Sequence, residues 1–297
     1  MSSFLLSLQQ LVFYRGREGQ LSFIGRRLAG LGTLLFLAIH ILDTATVYFV
    51  PSLYSHAIDL YRSTPLMLGE MLLVAAVVYH GVNGLNTIFQ DTFPHWWTKT
   101  SERASFWRVV VVSVVLWLPL GGAMGRALYI YNICNCASGE RPFTASIWAV
   151  LGTLAVFVVV LLVLAWGKPL KGPRPGAARG LQPQRDLEGW AWLFMRWSGS
   201  LLIPLAWGHV LLKDALVGVH AIDLGYVAMQ WASLGWRIYD AALLLFAFLH
   251  GMNGLRGILN EYLRASRWRR LANGLWLVGL LVWTVVGAVA VIGGVRP

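Results

Sequence analysis

Long apolar runs separated by short polar stretches make up most of this chain. Seven runs are long enough to cross a bilayer, and they lie near residues 28–50, 66–90, 107–131, 144–166, 192–217, 231–260 and 271–293. A membrane-crossing helix needs about 20 largely apolar residues, because each residue adds 1.5 Å and the hydrocarbon layer is about 30 Å thick. The pattern therefore predicts an all-α membrane protein with about seven transmembrane helices. The third is the least regular, because it contains Pro119, Gly121 and Gly122.

One stretch with a distinctive set of polar residues occurs twice in the chain. The segment VVYHGVNGLNTIFQD at 77–91 returns as FLHGMNGLRGILNE at 248–261. Both copies hold a His-Gly pair, an Asn-Gly-Leu triplet and a carboxylate eleven residues after the histidine. His80 and His250 therefore occupy equivalent positions, 170 residues apart.

The first and fifth runs repeat each other as well. Arg27 and Arg196 each open an Arg-x-x-Gly motif, and each precedes a histidine by thirteen residues. These histidines, His40 and His209, are 169 residues apart. Matching offsets in two separate helices indicate an internal duplication of a three-helix unit.

The first three runs form one unit and the last three form its copy, whereas the fourth run, at 144–166, matches neither. A unit of three helices ends on the side opposite its start, so an extra linker helix leaves the two units parallel. A linker rich in Pro, Gly and positive charge follows this helix, as expected of a flexible connection. The predicted regions are an interfacial N-terminal segment at 1–25, a first unit at 26–131, a connection at 132–190 and a second unit at 191–297.

Composition and charge agree with a membrane location. Hydrophobic residues make up 57% and charged residues 12% of the chain, whereas soluble domains average about 45–50% and about 25%. The net charge of +11 could indicate nucleic-acid binding, but the basic residues cluster in the loops after the second, fourth and sixth runs. By the positive-inside rule these loops are cytoplasmic, which places the N-terminus inside and the C-terminus outside. We expect a retained cytoplasmic N-terminus, not a signal peptide, and no nucleic-acid partner.

Four histidines lie within the predicted spans: His40, His80, His209 and His250. Polar side chains at membrane depth are costly and usually functional, although a single histidine can simply hydrogen-bond a neighbouring helix. Two duplicated pairs favour metal ligation. We expect no cysteine or carboxylate beside them, so haem held by two imidazoles is favoured over zinc.

The depth of each histidine predicts the pairing. His40 and His209 lie about 20 Å from the inner ends of their helices, and His80 and His250 about 16 Å. Copies lie at matched depths in parallel units, so His80 should pair with His250, and His40 with His209. Four glycines near the inner pair leave room for a flat macrocycle or serve close helix packing: Gly81, Gly84, Gly251 and Gly254.

Two cysteines, Cys134 and Cys136, lie in a predicted outer loop. Their spacing is too tight for an easy disulfide, and two thiols are too few for an iron–sulfur cluster or a closed zinc site. We therefore expect no chemistry from them.

Taken together, these residues resemble the membrane-anchor cytochrome b of succinate dehydrogenases and fumarate reductases, respiratory complex II. The usual anchor has two small subunits of three helices each, and this chain resembles both fused through the extra helix. The resemblance implies that His80 and His250 hold the haem nearest the iron–sulfur subunit. It implies that His40 and His209 hold a second, outer haem, as in the two-haem members.

The family's quinone site carries over in part. Its second small subunit ends the haem helix in a carboxylate followed by tyrosine, and Glu261 and Tyr262 occupy these places. The resemblance implies that the tyrosine hydrogen-bonds a quinone carbonyl and that the carboxylate tunes it. The first half has Asp91 and Thr92 instead, so one inner quinone site is expected rather than two.

The first helix departs from the family pattern. That pattern reads Ser-x-x-His-Arg-x-x-Gly, and here Arg27 and Gly30 fit, Arg26 replaces the histidine, and Ser22 lies one position early. Arg27 is implied as a quinone or haem-propionate contact, and Ser22 is the weaker candidate for quinone. Two further arginines are expected to contact haem propionates or simply to lie at the inner surface: Arg196 and Arg256.

The resemblance implies a diheme membrane subunit that passes electrons between an iron–sulfur subunit and membrane quinone, with menaquinone favoured. Its partners would be the flavoprotein and iron–sulfur subunits, which carry the dehydrogenase active site, in the cytoplasmic (inner) membrane of a prokaryote. A higher oligomer is left open. The alternatives are a cytochrome b subunit of another quinone-linked dehydrogenase and a duplicated transporter that uses the histidines as a proton or metal path. The HAIDL segments at 56–60 and 220–224 would border the outer haem or a second quinone site, or are only interfacial turns.

Overall fold

The chain forms eight α-helices and no β-strand within the residues described here. The structure is a computed structural model that describes residues 17–93, 99–136, 159, 162 and 186–296. The predicted all-α membrane fold is confirmed. The predicted N-terminal segment up to residue 16, most of the predicted fourth span at 144–166 and the linker after it lie outside the described residues.

Six of the described helices are long and apolar enough to cross a membrane. They are α1 (Glu18–Phe49), α3 (Thr64–Thr92), α4 (Lys99–Leu128), α5 (Leu187–Val210), α7 (Leu234–Tyr262) and α8 (Ser266–Gly293). The two short helices are α2 (Pro51–Tyr61) and α6 (Leu224–Ala232).

Local sequence explains where several helices begin, end and continue. α1 already begins at Glu18, so it takes in part of the predicted interfacial segment, and it stops before Pro51, which opens α2. Asp186 caps α5 by accepting a hydrogen bond from the backbone N–H of Gly189 at 2.8 Å. α4 runs unbroken through Pro119, as transmembrane helices tolerate.

Two of the spanning helices end in a π-helical turn, where the chain is wound more widely. α4 continues into Tyr129–Ile133, and α5 continues into Leu211–Val217. Gly218 then ends the second turn with a φ of +79°, a conformation that glycine adopts readily. Such turns are frequent at functional sites, and the second one follows His209 directly.

The two three-helix units begin at the same end of the bundle. Arg27, near the start of α1, forms an ion pair with Glu261 near the end of α7. Arg196, near the start of α5, forms the matching ion pair with Asp91 near the end of α3. Each first-helix arginine therefore pairs with the carboxylate of the other unit. This arrangement requires parallel units, as the duplication predicts.

The repeated Asn-Gly-Leu triplet ties the second helix of each unit to its first helix. Asn83 donates from Nδ2 to the carbonyl oxygen of Ser22 at 3.1 Å. Asn253 donates to the carbonyl of Ala191 at 3.0 Å. Ser22 and Ala191 are 169 residues apart, so both bonds join equivalent atoms. The asparagine recurs because it satisfies a helix-to-helix hydrogen bond one turn from the histidine.

The short helices α2 and α6 pack together at the end of the bundle away from Arg27. The charge pattern predicts that this end faces outward, so it is called the outer end, and the end with Arg27 is called the inner end. Val47, Tyr54, Ile58 and Trp231 form part of a buried cluster that joins them to α1 and α8. The two HAIDL copies adopt different structures, since His56–Leu60 lies within α2 whereas His220–Leu224 spans a short 3₁₀ turn and the start of α6. The two copies therefore share a sequence but not a conformation.

The prediction for the cysteines was wrong. Cys134 and Cys136 form a disulfide, and their Cα atoms are 5.2 Å apart. Asn135 between them has a φ of +51°, and this left-handed turn lets the two flanking side chains meet. Their Cα separation lies inside the usual range for disulfides.

Candidate functional site

The inner histidine pair lies at the contact between the two units. The rings of His80 and His250 have centroids 6.3 Å apart and lie at 86° to each other. Two imidazoles that bind one metal ion from opposite sides, each at about 2.0–2.1 Å, have ring centres about 6 Å apart. The structure thus brings His80 and His250 together at the spacing that one shared ion requires.

Both inner histidines are held through Nδ1, and no hydrogen bond among the described residues uses Nε2 of either ring. His80 Nδ1 lies 3.1 Å from the carbonyl oxygen of Arg26, and His250 Nδ1 lies 2.8 Å from the hydroxyl of Ser198. A carbonyl oxygen only accepts, so His80 carries its proton on Nδ1 and a lone pair on Nε2. Metal-binding histidines are typically held in this way.

The glycine of each Arg-x-x-Gly motif lets the inner histidine ring approach the first helix of its own unit. A β-carbon added at Gly30 would lie 2.7 Å from Cε1 of His80, and one at Gly199 would lie 3.2 Å from Cε1 of His250. Real side chains essentially never approach to the first distance. The motif therefore recurs for a steric reason that sequence reasoning did not assign to it.

An added β-carbon would meet open space or a single distant atom at most of the glycines that follow the inner histidines. A β-carbon at Gly81 or Gly84 would meet no atom within 4 Å, and one at Gly254 would touch only the end of Met195 at 3.8 Å. Gly251 differs, because its β-carbon would lie 2.7 Å from Leu34. That glycine serves close helix packing, the alternative considered for it.

The outer pair has the same spacing and a different surrounding. The rings of His40 and His209 have centroids 6.1 Å apart at 74°. His40 Nδ1 lies 3.5 Å from Oδ1 of Asp43, and Oδ2 of the same carboxylate accepts a hydrogen bond from the Tyr61 hydroxyl. The buried Nδ1 of His209 has no hydrogen-bond partner within the described structure. Burial and the bond to Asp43 raise the pKa of Tyr61, so its hydroxyl remains a donor.

The expectation that no carboxylate accompanies the histidines was wrong. Besides Asp43, the spanning segments carry Glu70, Asp214 and Asp240 toward the outer end. Trp231 donates to Asp240 at 2.8 Å. A sequence signal was present for two of them, because Glu70 and Asp240 each precede an inner histidine by ten residues.

The two pairs are suited to a cofactor that brings its own ligands. Within the described residues, no group of three or more His, Cys, Asp or Glu side chains is arranged to hold a metal ion. No third side chain joins either pair as a possible metal ligand in this part of the chain, whereas a protein-built zinc site uses three or four side chains. Two opposed imidazoles and open space beside Gly81 and Gly84 fit an iron macrocycle.

Three of the four candidate quinone residues meet at the inner end. The Arg27 guanidinium forms two hydrogen bonds to Glu261, at 3.0 and 2.5 Å, and lies 3.5 Å from the hydroxyl oxygen of Tyr262. The Phe23 ring packs against Arg27, with the guanidinium carbon 4.0 Å from its centroid. Tyr262 is 66% exposed, so its side chain lies at the surface of the helix bundle.

Ser22 and the remaining arginines lie elsewhere. Ser22 exchanges hydrogen bonds with the buried side chain of Asn83 and does not join the Arg27 group. Arg256 forms a two-bonded ion pair with Glu188, at 2.8 and 2.7 Å. Arg196, whose ion pair with Asp91 mirrors that of Arg27, stacks on Trp192 at 3.8 Å.

The two inner ion pairs, Arg27 with Glu261 and Arg196 with Asp91, mark two equivalent corners of the bundle. Tyr262 is the main difference between these inner corners. Thr92 takes the place of Tyr262 in the first unit, and its hydroxyl donates to the carbonyl of Ile88 in its own helix at 2.8 Å. The Thr92 hydroxyl is therefore bonded within its own helix, whereas the Tyr262 side chain is exposed. Of the two equivalent ion pairs, the one formed by Arg27 therefore has a tyrosine hydroxyl beside it, and the one formed by Arg196 has a threonine at that position.

Comparison with known proteins assigns the family. The family described as succinate dehydrogenase/fumarate reductase transmembrane subunit matches residues 9–120 and 174–292. The chain belongs to this family. A relative, the succinate dehydrogenase 2 membrane subunit SdhC of Mycobacterium tuberculosis, is 32% identical over 114 residues, which cover 38% of this chain and 81% of the relative.

This assignment confirms the family resemblance and identifies the chain as a multi-pass membrane subunit of complex II. The family matches two separate segments, and each covers three of the six described spans wholly or in large part. The match to the relative has about the length of one such segment. Membership favours the complex II anchor over the transporter and over the subunit of another dehydrogenase.

Proposed function

We propose that this membrane subunit holds two haem b groups and passes electrons between the iron–sulfur subunit of complex II and membrane quinone. The observation that carries the proposal is the pair of opposed histidine couples, with ring centroids 6.3 and 6.1 Å apart. When bound, haem iron supplies one-electron transfer. The inner haem would be held by His80 and His250, and the outer haem by His40 and His209.

The protein's part is to orient the ligands and to keep the site rigid. Arg26 and Ser198 fix the inner rings through Nδ1, and Gly30 and Gly199 let those rings lie against the first helices. Because each histidine of a couple comes from a different unit, ligation joins the two halves of the duplicated chain. The two units then move as one body around the cofactors.

Quinone would bind at the inner corner formed by Arg27, Glu261 and Tyr262. The phenol hydroxyl donates a hydrogen bond to a quinone carbonyl oxygen, which gains electron density and then a proton when the quinone is reduced. Arg27 adds positive charge near that oxygen and is held in place by Glu261. Ser22 is not part of the proposed quinone site, since its hydroxyl bonds Asn83.

The basic loops favour partner docking at this same end. Arginines follow α7 in a dense group at Arg264, Arg267, Arg269 and Arg270, which the positive-inside rule places in the cytoplasm. We propose that the flavoprotein and iron–sulfur subunits dock there, in a prokaryotic cytoplasmic membrane, with the N-terminus on the same side. Menaquinone is the proposed quinone because two-haem members of the family usually use it.

Purified complex tests the electron path. The chain should copurify with flavoprotein and iron–sulfur subunits, identified by mass. Succinate should then reduce haem in the oxidised complex, and a menaquinone analogue should reoxidise it. Haem that responds to neither reagent would contradict the proposed path.

Replacing Gly30 by alanine should displace His80 and destabilise the inner haem. The added β-carbon would lie 2.7 Å from the imidazole, and overpacking of this kind costs about 1–3 kcal/mol. Gly32→Ala is the matched control, because a β-carbon there meets nothing within 4 Å. We expect less inner haem per chain and a lower unfolding temperature for Gly30→Ala only. Equal haem content in the two variants would contradict the steric role.

A further inference from the structure

The two inner histidines are held by different kinds of acceptor. His80 Nδ1 bonds the backbone carbonyl of Arg26 at 3.1 Å, whereas His250 Nδ1 bonds the side-chain hydroxyl of Ser198 at 2.8 Å. Position 29, which is equivalent to 198 by the repeat offset of 169, is alanine. The duplication therefore left a side-chain contact on one inner ligand only.

The Ser198 hydroxyl can only accept from His250. Its single proton is donated to the carbonyl oxygen of Phe194 at 2.6 Å, one turn earlier in α5. Since a hydroxyl has one proton and two lone pairs, the bond to His250 must come from a proton on Nδ1. Ser198 is 1% exposed, so water does not replace this bond.

We propose that Ser198 is a positioning residue that fixes the tautomer of His250 and sets how strongly this histidine donates electrons to the inner haem. The inference rests on the proposed haem function and deepens it. A proton held on Nδ1 leaves the Nε2 lone pair for the iron. An acceptor at Nδ1 also raises the basicity of the coordinating nitrogen.

This contact affects the reduction potential of one haem. A more basic imidazole stabilises ferric iron more than ferrous iron, because the ferric ion carries more positive charge. Loss of the acceptor should therefore favour the reduced form and raise the potential of the inner haem. His40 and His209 do not contact Ser198 in the described hydrogen bonds, so the outer haem should be unaffected.

Ser198→Ala in the whole purified complex tests the inference by redox titration of the haem spectrum. We expect the inner haem to be easier to reduce by up to about tenfold, which is about 59 mV for a one-electron couple. Ser113→Ala is the matched control, because Ser113 is also buried and donates to the carbonyl four residues earlier at 2.6 Å, without touching a histidine. That variant should keep both potentials.

Each outcome of the redox titration either supports or overturns the proposed role of Ser198. A rise confined to the inner haem, or loss of that haem alone, supports the role of Ser198. Unchanged potentials, or equal shifts of both haems, would overturn it. If Ser198→Ala does not accumulate, Ser198→Cys keeps the volume with a weaker acceptor, and an unchanged inner potential there would overturn the inference. Absence of haem from the unsubstituted complex would instead reject the proposed function.

Discussion

His250→Leu is expected to leave the complex with one haem instead of two. Leucine has no lone pair for iron, and His80 alone cannot hold the haem that we propose to lie between two rings 6.3 Å apart. Because the outer couple takes its ligands from α1 and α5, it should be retained. The measurement is haem per chain, together with the spectrum of the remaining component.

The pairing itself is tested by comparing variants. His80→Leu should remove the same spectral component as His250→Leu, and His40→Leu should remove the other one. His56→Leu is the control, because His56 is an exposed histidine of α2, and it should keep both haems. If His80→Leu and His250→Leu remove different components, the proposed ligand pairs are incorrect.

Tyr262→Phe is expected to slow quinone reduction by about tenfold to a hundredfold with both haems retained. The change removes one hydroxyl and keeps the ring. A hydrogen bond to a group that develops charge is worth about 1.5–3 kcal/mol, and about 1.4 kcal/mol corresponds to a factor of ten. Steady-state turnover with a menaquinone analogue and the haem spectrum of the same sample measure both parts.

The matched control for this change is Tyr129→Phe. Tyr129 is also an exposed tyrosine, 56% accessible, in the π-helical turn after α4, and it lies far from the inner corner. Its variant should turn over normally. Normal turnover of Tyr262→Phe would argue against the quinone contact, and loss of haem in that variant would indicate a structural role instead.

The repeat made much of this architecture predictable. Nearly equal offsets of 169 and 170 related four histidines in two couples before any contact was known. Such offsets survive because paired helices must keep their ligands at one depth. The crossed ion pairs of Arg27 with Glu261 and of Arg196 with Asp91 then follow from parallel units.

Contacts that depend on helix rotation were not predictable. The hydroxyl of Ser198 reaches His250 only because α5 turns that face inward. Ser198 lies inside the Arg-x-x-Gly motif, but the motif does not show which helix its serine faces. The same holds for Gly30, whose motif was recognised but whose steric purpose appears only with the ring of His80 beside it. Asp43 was overlooked because its single charge does not interrupt a long apolar run.

Asymmetry at the inner corners was the most informative sequence difference. Glu261 and Tyr262 of the second unit are equivalent to Asp91 and Thr92 of the first. Both carboxylates form an ion pair, but of these two corners only the one with Tyr262 has an exposed phenol. Ser198 adds a second asymmetry, between the two inner ligands. Duplication thus preserved the arrangement of helices and histidines while the residues around them diverged.

The haem content of the purified complex tests the central claim most directly. A reduced-minus-oxidised spectrum, combined with extraction and quantitation of haem per chain, gives both the type and the number of cofactors. Two b-type haems per chain are predicted. A complex that is intact by mass and shows no b-type band would contradict the account.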